Sequence, residues 1–131
     1  MLNLAQQREE LTVIDDQVGV PTSAELIADV TALIIPQVLK NLDKTGVYHL
    51  VASGETTWFN YAKYVFEQAQ ILGVNLKVQH VRPITTAEYS TPAPRPLNSR
   101  LNNQKIQHTF QITLPEWQWY VNRTLTEILS K

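Results

Sequence analysis

Residues 11–38 read LTVIDDQVGVPTSAELIADVTALIIPQV, and this stretch decides the fold class because it combines a strand, a loop and a helix. The segment Leu11–Ile14 is a short apolar run rich in β-branched residues, which predicts a buried strand. Gly19 and Pro21 favour turns, so residues 15–22 are expected to form a loop. A strand followed by a loop and a helix is typical of an α/β protein.

The helix after this loop has a recognisable start and one apolar face. Thr22 and Glu25 form the T-x-x-E pattern of a capping box, which predicts that the helix begins at about Ser23. Pro36 is expected to kink or split the helix, whose end is predicted near Asn41. The apolar residues at helical spacing are Leu26, Ile27, Val30, Leu33, Ile34 and Val38.

Two further strands are predicted downstream, with a second helix between them. VYHLVA, residues 47–52, is apolar and indicates a strand, and LKVQHV, residues 76–81, alternates in polarity and indicates another. The helix between them is predicted to have Thr56 or Thr57 as its N-cap and to stop at Gly73. Its apolar residues at helical spacing are Trp58, Tyr61, Ala62, Val65, Phe66 and Ala69.

Both ends of the chain are also predicted to be helical. Residues 1–10 resemble the last turns of a helix, so we expect Met1 to be internal to a longer protein. A short helix is expected over residues 106–110, and Thr113 with Glu116 forms a second T-x-x-E box before a closing helix. The predicted face of that helix comprises Trp117, Val121, Thr124 and Ile128. Few short strands with three main helices indicate the α/β class.

The composition excludes several classes of function. The 131 residues carry a formal net charge of -1, and no stretch gathers the basic residues, so nucleic acid and anionic membranes are not expected partners. Cysteine is absent, which excludes a disulfide framework. No apolar run has the roughly 18 residues of a membrane span, and no targeting signal is recognisable. The expected location is the cytoplasm.

Patterns that carry catalytic or cofactor chemistry are missing from the sequence. No two of the four glycines are close enough for a dinucleotide-binding turn, and no tyrosine begins a Tyr-x-x-x-Lys pair. The three histidines have no second His or Cys at metal-ligand spacing. Asp15 and Asp16 have the chemistry of a general acid and base, but their position favours a turn-stabilising pair. No catalytic, cofactor-binding or metal-binding residue is therefore assigned.

Two loops have the residue types of a ligand site. The loop 15–22 leads to a helix N-terminus, where free amides favour an anionic or carbonyl-bearing ligand; the alternative is a simple connector. PAPRPLNSRL, residues 92–101, presents Arg95, Asn98 and Arg100 on a scaffold stiffened by proline, which suits phosphate oxygens. The alternative is a rigid surface loop whose arginines pair with carboxylates of the same protein.

The three tryptophans offer rings that stack on a base or a sugar. Trp58 and Trp117 lie on predicted apolar helix faces, which favours a place in the core for both.

Four strings in series carry a family resemblance. They are VIDDQVGVPTSAELIAD at 13–29, GVYHLVASGETTWFNYAKYVFE at 46–67, RPLNSRLN at 95–102 and LPEWQWYVNRTLTEI at 114–128. Together they resemble the C-terminal part of the dTDP-4-dehydrorhamnose reductases, which are extended short-chain dehydrogenase/reductases. The resemblance implies that residues 1–131 form one piece: the substrate-side lobe of such an enzyme, with an incomplete Rossmann sheet and without the N-terminal cofactor-binding domain.

The function implied by this resemblance is the conversion of dTDP-4-dehydro-L-rhamnose to dTDP-L-rhamnose. The complete enzyme would use NADPH or NADH, which this chain would not bind, and the chain alone is expected to be inactive. The residues expected to shape the nucleotide-sugar pocket are Asp16, Gln17, Arg95, Asn98 and Arg100. The alternative is a stand-alone, non-catalytic module of the same ancestry that binds a nucleotide sugar or a protein.

The resemblance also bears on metal binding and self-association. Glu25 and Glu127 match two positions at which some relatives bind Mg²⁺, and a third carboxylate would come from outside this chain. Two positions do not make a magnesium site, so Mg²⁺ is left open for the complete enzyme and both glutamates are treated as surface or capping residues. Apolar surface left uncovered predicts that the isolated chain self-associates or traps its N-terminal helix there.

Overall fold

A computed structural model describes residues 1–89 and 93–129, and these form a small α/β structure. The helices are α1 (Leu2–Gln7), α2 (Ala24–Lys40), α3 (Trp58–Ile71), α4 (Gln104–Phe110) and α5 (Trp117–Leu129). The strands are β1 (Glu10–Ile14), β2 (Val18–Gly19), β3 (Thr56–Thr57) and β4 (His80–Ile84). Short 3-10 turns occupy Leu42–Lys44 and Thr86–Glu88. The α/β class is confirmed.

The parallel pair β1–β4 differs from the sequence prediction at its second strand. The predicted strand 76–81 is wrong in its bounds, because pairing begins at His80 opposite Glu10 and continues to Ile84 opposite Ile14. The preceding residues contact the end of α1 instead: the backbone amides of Lys77 and Val78 both donate to the carbonyl of Ala5 at 2.9 Å. Pro83 lies inside β4, opposite Val13.

The predicted strand 47–52 is absent, because no described strand lies beside it. Side chains satisfy much of its backbone instead. Asn103 donates its amide to the carbonyls of Val51 and Ala52 at 3.1 and 3.3 Å, and Lys105 donates to the carbonyl of Val47 at 2.8 Å. The amide of Ala52 donates to the hydroxyl of Thr22 at 3.3 Å. These bonds attach the segment to α4 and to the start of α2.

Helix α2 begins where predicted but with a different cap. The hydroxyl of Ser23 accepts a hydrogen bond from the amide of Leu26 at 3.0 Å, so Ser23 is the N-cap. The predicted capping box of Thr22 and Glu25 is wrong, because the Thr22 hydroxyl donates to the carbonyl of Val20 instead. The helix continues through Pro36, so the expected split does not occur, and it ends at Lys40 with Asn41 as its C-cap, near the predicted end.

Ser53, not a capping box, fixes the start of α5. The helix begins at Trp117, so the box predicted from Thr113 and Glu116 is wrong. The carbonyl of Ser53 accepts from the amide of Trp117 at 3.2 Å, and its hydroxyl donates to the carbonyl of Leu114 at 2.7 Å. The buried residues of α5 are Trp117, Tyr120 and Leu125, whereas Thr124 and Ile128 of the predicted face are exposed.

Two buried clusters make up the core, and Tyr61 of α3 and Val121 of α5 contact both. The first cluster comprises Leu26, Val30, Ala52, Ile106, Phe110, Leu114, Trp117 and Tyr120. The second comprises Ala5, Leu11, Ala62, Val65, Phe66 and Leu125. The buried position predicted for Trp117 is confirmed. Among residues 1–89 and 93–129, no helix has the length and apolar character needed to cross a membrane.

Candidate functional site

A cleft of about 300 Å³ lies between the loop 15–22 and the first turn of α3. Its position follows from the antiparallel pair β2–β3, in which Val18 lies opposite Thr57 and Gly19 opposite Thr56. Because β3 leads directly into α3, this pairing brings two helix starts to one place. The lining residues are Gln17, Val18, Gly19, Val20, Pro21, Thr22, Thr56, Thr57, Trp58, Tyr61 and Ser99, none of which carries a charge at neutral pH.

Thr86 anchors the start of the loop. Its amide donates to both carboxylate oxygens of Asp16 at 2.9 Å, and its hydroxyl donates to one of them at 2.6 Å. The hydroxyl bond, and then the amide bond, hold the pKa of the Asp16 carboxyl below its ordinary value. Gln17 is 9% exposed and donates its side-chain amide to the same hydroxyl at 3.1 Å. The neighbouring Asp15 accepts from the Thr57 hydroxyl at 2.6 Å, so both carboxylates bond to residues distant in the sequence and not within a local turn.

The segment around Asn98 forms a second wall. The amide of Val18 donates to the carbonyl of Leu97 at 2.8 Å, and the amide of Ser99 donates to the carbonyl of Val18 at 2.9 Å. The Ser99 hydroxyl lies so close to Gly19 that a Cβ there would be 2.6 Å away. A Cβ at position 19 would therefore force the Ser99 hydroxyl to move. Asn98 itself accepts from the Arg100 side chain at 3.0 Å, which fixes the direction of that arginine.

The two loop arginines lie outside the cleft. Arg100 forms an ion pair with Glu55 at 2.8 Å and lines a neighbouring depression of about 190 Å³ with Asn103. Arg95 is exposed, and within residues 1–89 and 93–129 no hydrogen bond or ion pair is assigned to it. Pro92, the first residue of the predicted loop, lies outside the described residues. Of the five predicted site residues, Gln17 lines the cleft, whereas Asp16 and Asn98 support its walls.

The sequence analysis missed the aromatic contribution to this cleft. Trp58, which was predicted to be in the core, is 52% exposed and lines the cleft, so that prediction is wrong. Tyr61 lies beside it with ring centroids 6.1 Å apart at 86°, and burial raises the pKa of the Tyr61 phenol. The phenol is therefore protonated at neutral pH. The sequence feature that could have indicated an exposed Trp58 is its position immediately after the helix N-cap, next to a turn.

A family model described as the RmlD substrate binding domain matches residues 1–130 of this chain. The chain belongs to the RmlD substrate-binding domain family. A dTDP-4-dehydrorhamnose reductase of Escherichia coli K12 is 52% identical over 130 residues, which cover 99% of this chain and 44% of that protein. The same-named protein of Sinorhizobium fredii is 42% identical over 132 residues. This RmlD domain thus spans less than half the length of the curated relatives it matches.

Solved structures of dTDP-4-dehydrorhamnose reductases share the fold of this RmlD domain. The protein of Clostridium acetobutylicum is 32% identical and superposes with a TM-score of 0.81, covering 98% of this chain and 42% of that one. The protein of Bacillus anthracis, solved in complex with NADP, is 28% identical with a TM-score of 0.75. The chain is therefore the counterpart of one portion of an extended short-chain dehydrogenase/reductase.

The lining of the cleft does not fit a nicotinamide cofactor. The cleft has no glycine-rich turn of the G-x-G-x-x-G type, since Gly19 is its single lining glycine. Tyr61 is the one titratable side chain among the lining residues, and no lysine accompanies it there. The arrangement supplies amide, hydroxyl and aromatic groups that can bind and orient a ligand.

The described residues do not make up a magnesium site by themselves. Arg123 lies 3.5 Å from a carboxylate oxygen of Glu25 and 3.3 Å from one of Glu127, so its guanidinium occupies the space between the two carboxylates. Within residues 1–89 and 93–129, no group of three potential ligands could hold a metal ion. The prediction that Glu25 is a capping residue is wrong, and both glutamates are ion-pair partners of one arginine.

Proposed function

We propose that this chain is the substrate-side portion of an NAD(P)H-dependent reductase that converts dTDP-4-dehydro-L-rhamnose to dTDP-L-rhamnose. The observation that carries the proposal is the RmlD family match over residues 1–130, joined to a cleft formed by two helix starts. Residues 1–131 would act as one piece, and the nicotinamide cofactor that delivers hydride and the group that delivers the proton would both be held by a part of the protein preceding residue 1. The chain alone would then bind but not reduce the sugar.

The predicted site residues take two different roles in this proposal. Gln17 presents a polar side chain at the wall of the cleft, while Asp16 holds the loop through Thr86 and so maintains the shape of the cleft. Arg95 and Arg100, on the outer loop that Asn98 stiffens, approach the diphosphate. A guanidinium suits this task because its planar set of donors matches phosphate oxygens.

A fusion protein tests whether this chain and an upstream portion are both needed for activity. The chain is joined to the upstream portion of the Escherichia coli relative, and NADPH oxidation is followed with dTDP-4-dehydro-L-rhamnose. We expect activity in the fusion and none in the chain or the upstream portion alone. Reduction of the sugar by the chain alone would contradict the proposal. Binding of the nucleotide sugar together with an inactive fusion would instead favour the stand-alone binding module.

Charge substitutions in the fusion test the outer loop. Arg95→Ala and Arg100→Ala are each expected to raise KM about tenfold, because each removes a charged hydrogen bond to phosphate. Salt should weaken binding further. Arg82→Ala is the matched control, since Arg82 is exposed in β4 and pairs with Glu10 away from the cleft. An unchanged KM in both loop variants would mean that the arginines have only a structural role.

Self-association of the isolated chain is also part of the proposal. A groove of about 720 Å³ runs between α1 and α5, and Leu2, Val65, Val121 and Ile128 are among its apolar residues. Surfaces of this kind are usually covered in a native protein. Sedimentation at increasing concentration should show dimers or larger species, and a strictly monomeric profile would contradict this.

The cytoplasmic location stays a prediction, which fractionation of cells would test.

A further inference from the structure

Strongly exposed apolar side chains gather where α2 ends. Leu39 is 75% exposed, Leu42 is 69% exposed and Val47 is 80% exposed, and all three lie within residues 39–47. A single exposed apolar residue is common on a protein surface, whereas several close together indicate a surface that contacts another molecule. None of the three is among the residues that line the cleft, so the proposed substrate site does not account for them.

Hydrogen bonds hold this part of the chain in a defined turn. The 3-10 turn Leu42–Lys44 follows α2 directly. The Thr45 hydroxyl donates to the carbonyl of Leu42 at 2.8 Å, and the Tyr48 hydroxyl donates to the carbonyl of Lys44 at 2.7 Å. Because the turn is already ordered, a partner that binds there loses less affinity to the ordering of backbone.

Three lysines lie around these apolar side chains: Lys40, Lys44 and Lys105. The Lys44 ammonium is 5.5 Å from the centroid of the Phe110 ring, and the Lys105 ammonium is 4.7 Å from that of Tyr48. The two rings contact each other with centroids 5.1 Å apart. Both ammoniums also donate to neutral oxygens at 2.9 and 2.8 Å. These contacts direct the ammoniums without cancelling their charge.

The end of α2 is positively charged, although the chain as a whole is not. In the part of the chain that the structure describes, no ion pair is assigned to Lys40, Lys44 or Lys105. Asp43 is the one acidic residue in the sequence between positions 37 and 48. Three positive charges and one negative charge leave a local excess of two, whereas the full sequence has a net charge of -1. This contrast favours a partner that brings carboxylates to this end of the chain.

We propose that this surface binds an acidic, amphipathic segment of another protein. The surface, named the lysine-rimmed patch, comprises Leu39, Leu42, Val47, Lys40, Lys44 and Lys105. Apolar side chains of the partner cover the aliphatic residues at its centre, and carboxylates of the partner pair with the lysines at its rim. Anionic lipid suits the patch less well, because lipid-binding surfaces gather about four to eight basic residues.

Fluorescence anisotropy with a labelled synthetic peptide tests the proposal. The probe is a peptide of glutamate and leucine that places leucine on one face of a helix, and two matched peptides replace either glutamate by lysine or leucine by serine. We expect saturable binding of the acidic amphipathic peptide and binding of each matched peptide weaker by about tenfold or more. Equal binding of all three, or no binding of the acidic amphipathic peptide at millimolar chain, would overturn the proposal.

Substitutions locate the binding on the chain. Leu42→Ser should raise Kd about tenfold, because it removes an exposed apolar side chain from the contact. Ile71→Ser is the matched control, since Ile71 is 70% exposed at the end of α3. Lys40→Glu should raise Kd by a factor that shrinks with added salt, whereas Lys63→Glu, on α3, should leave Kd unchanged. Equal changes in the patch variants and their controls would contradict a site at the end of α2.

Three further measurements separate other occupants of the patch, and none of them bears on the proposed function. The fusion with the upstream portion of the Escherichia coli relative should bind the peptide as the chain does. Binding by the chain but not by the fusion would mean that the complete protein covers the patch itself, which would overturn a separate partner. Cosedimentation with phosphatidylglycerol vesicles, or self-association of the chain, would overturn it in favour of lipid or a second copy if Leu42→Ser abolished either.

Discussion

Thr86→Val tests the connection that holds the cleft loop in place. Valine keeps the shape of threonine but removes the hydroxyl that donates to Asp16 at 2.6 Å and accepts from Gln17 at 3.1 Å. Gln17 is 9% exposed, so its amide would lose a partner in a nearly dry place. An unsatisfied buried donor costs about 1–3 kcal/mol. Each kcal/mol lowers Tm by roughly 4 °C in a chain of this size.

The pH dependence of this variant provides a second signature. The Asp16 pKa is lowered in the folded state, so its contribution to stability is present above about pH 4 and is lost as the pH falls through the folded-state pKa. Thr86→Val removes the largest cause of that shift. The stability difference between wild type and variant should therefore be greater at pH 7 than in acid, where the part due to Gln17 persists.

Thermal unfolding followed by circular dichroism between pH 3 and pH 7, at about one-unit steps, measures both effects. Thr31→Val is the matched control, because the Thr31 hydroxyl donates to the carbonyl of Ile27 on the exposed surface of α2 and no buried group depends on it. Equal Tm values for Thr86→Val and wild type would refute the argument about Gln17. A difference that stays constant with pH would refute the argument about Asp16.

Three further substitutions probe the wall of the cleft, the core and the depression beside the cleft. Gly19→Ala should destabilise the chain by about 1 kcal/mol, because the new Cβ displaces the Ser99 hydroxyl from its hydrogen bond to the backbone. In a Ser99→Ala background that cost should vanish. A double-mutant cycle of urea unfolding would measure the difference. Phe110→Ala should cost about 3–5 kcal/mol, since the ring is fully buried in the first cluster, and a loss below about 1 kcal/mol in the same assay would show that the site collapses. Glu55→Gln should change stability by less than about 0.5 kcal/mol because its ion pair with Arg100 is exposed, yet it should increase the affinity of the freed Arg100 for pyrophosphate in a calorimetric titration, and weaker binding would contradict this.

Local sequence patterns predicted the long elements because the apolar spacing that defines each of them lies within the element itself. The apolar periodicity of α2 and α3 and the β-branched run of β1 each mark one buried face, and tertiary packing agrees with all three. Caps were less predictable, since two adjacent hydroxyl residues precede α2 and the sequence does not say which one faces the helix. Ser23 does so because Thr22 is engaged by Val20 and by the amide of Ala52.

Features that depend on distant partners could not be predicted. The apolar run 47–52 has the composition of a strand, but a strand needs a neighbour, and Asn103 bonds its carbonyls instead. The loop 15–22 was correctly singled out by its Gly, Pro and helix start, whereas its anchor, Thr86, lies 70 residues from Asp16 in the sequence. Trp58 has core periodicity, and only the packing of β2 against β3 shows that its ring borders a cleft.

The proline inside β4 affects how the outer edge of this strand can pair with another chain. His80 donates its amide to Glu9 and Ile84 accepts from Asp15, so alternate residues of β4 direct their backbone groups toward β1. Pro83 falls between those positions, and its nitrogen, which has no hydrogen, faces the outer edge. A strand from another chain that paired with this edge would find no hydrogen-bond donor at Pro83. The outer edge of this sheet is thus a poor template for the growth of fibrils.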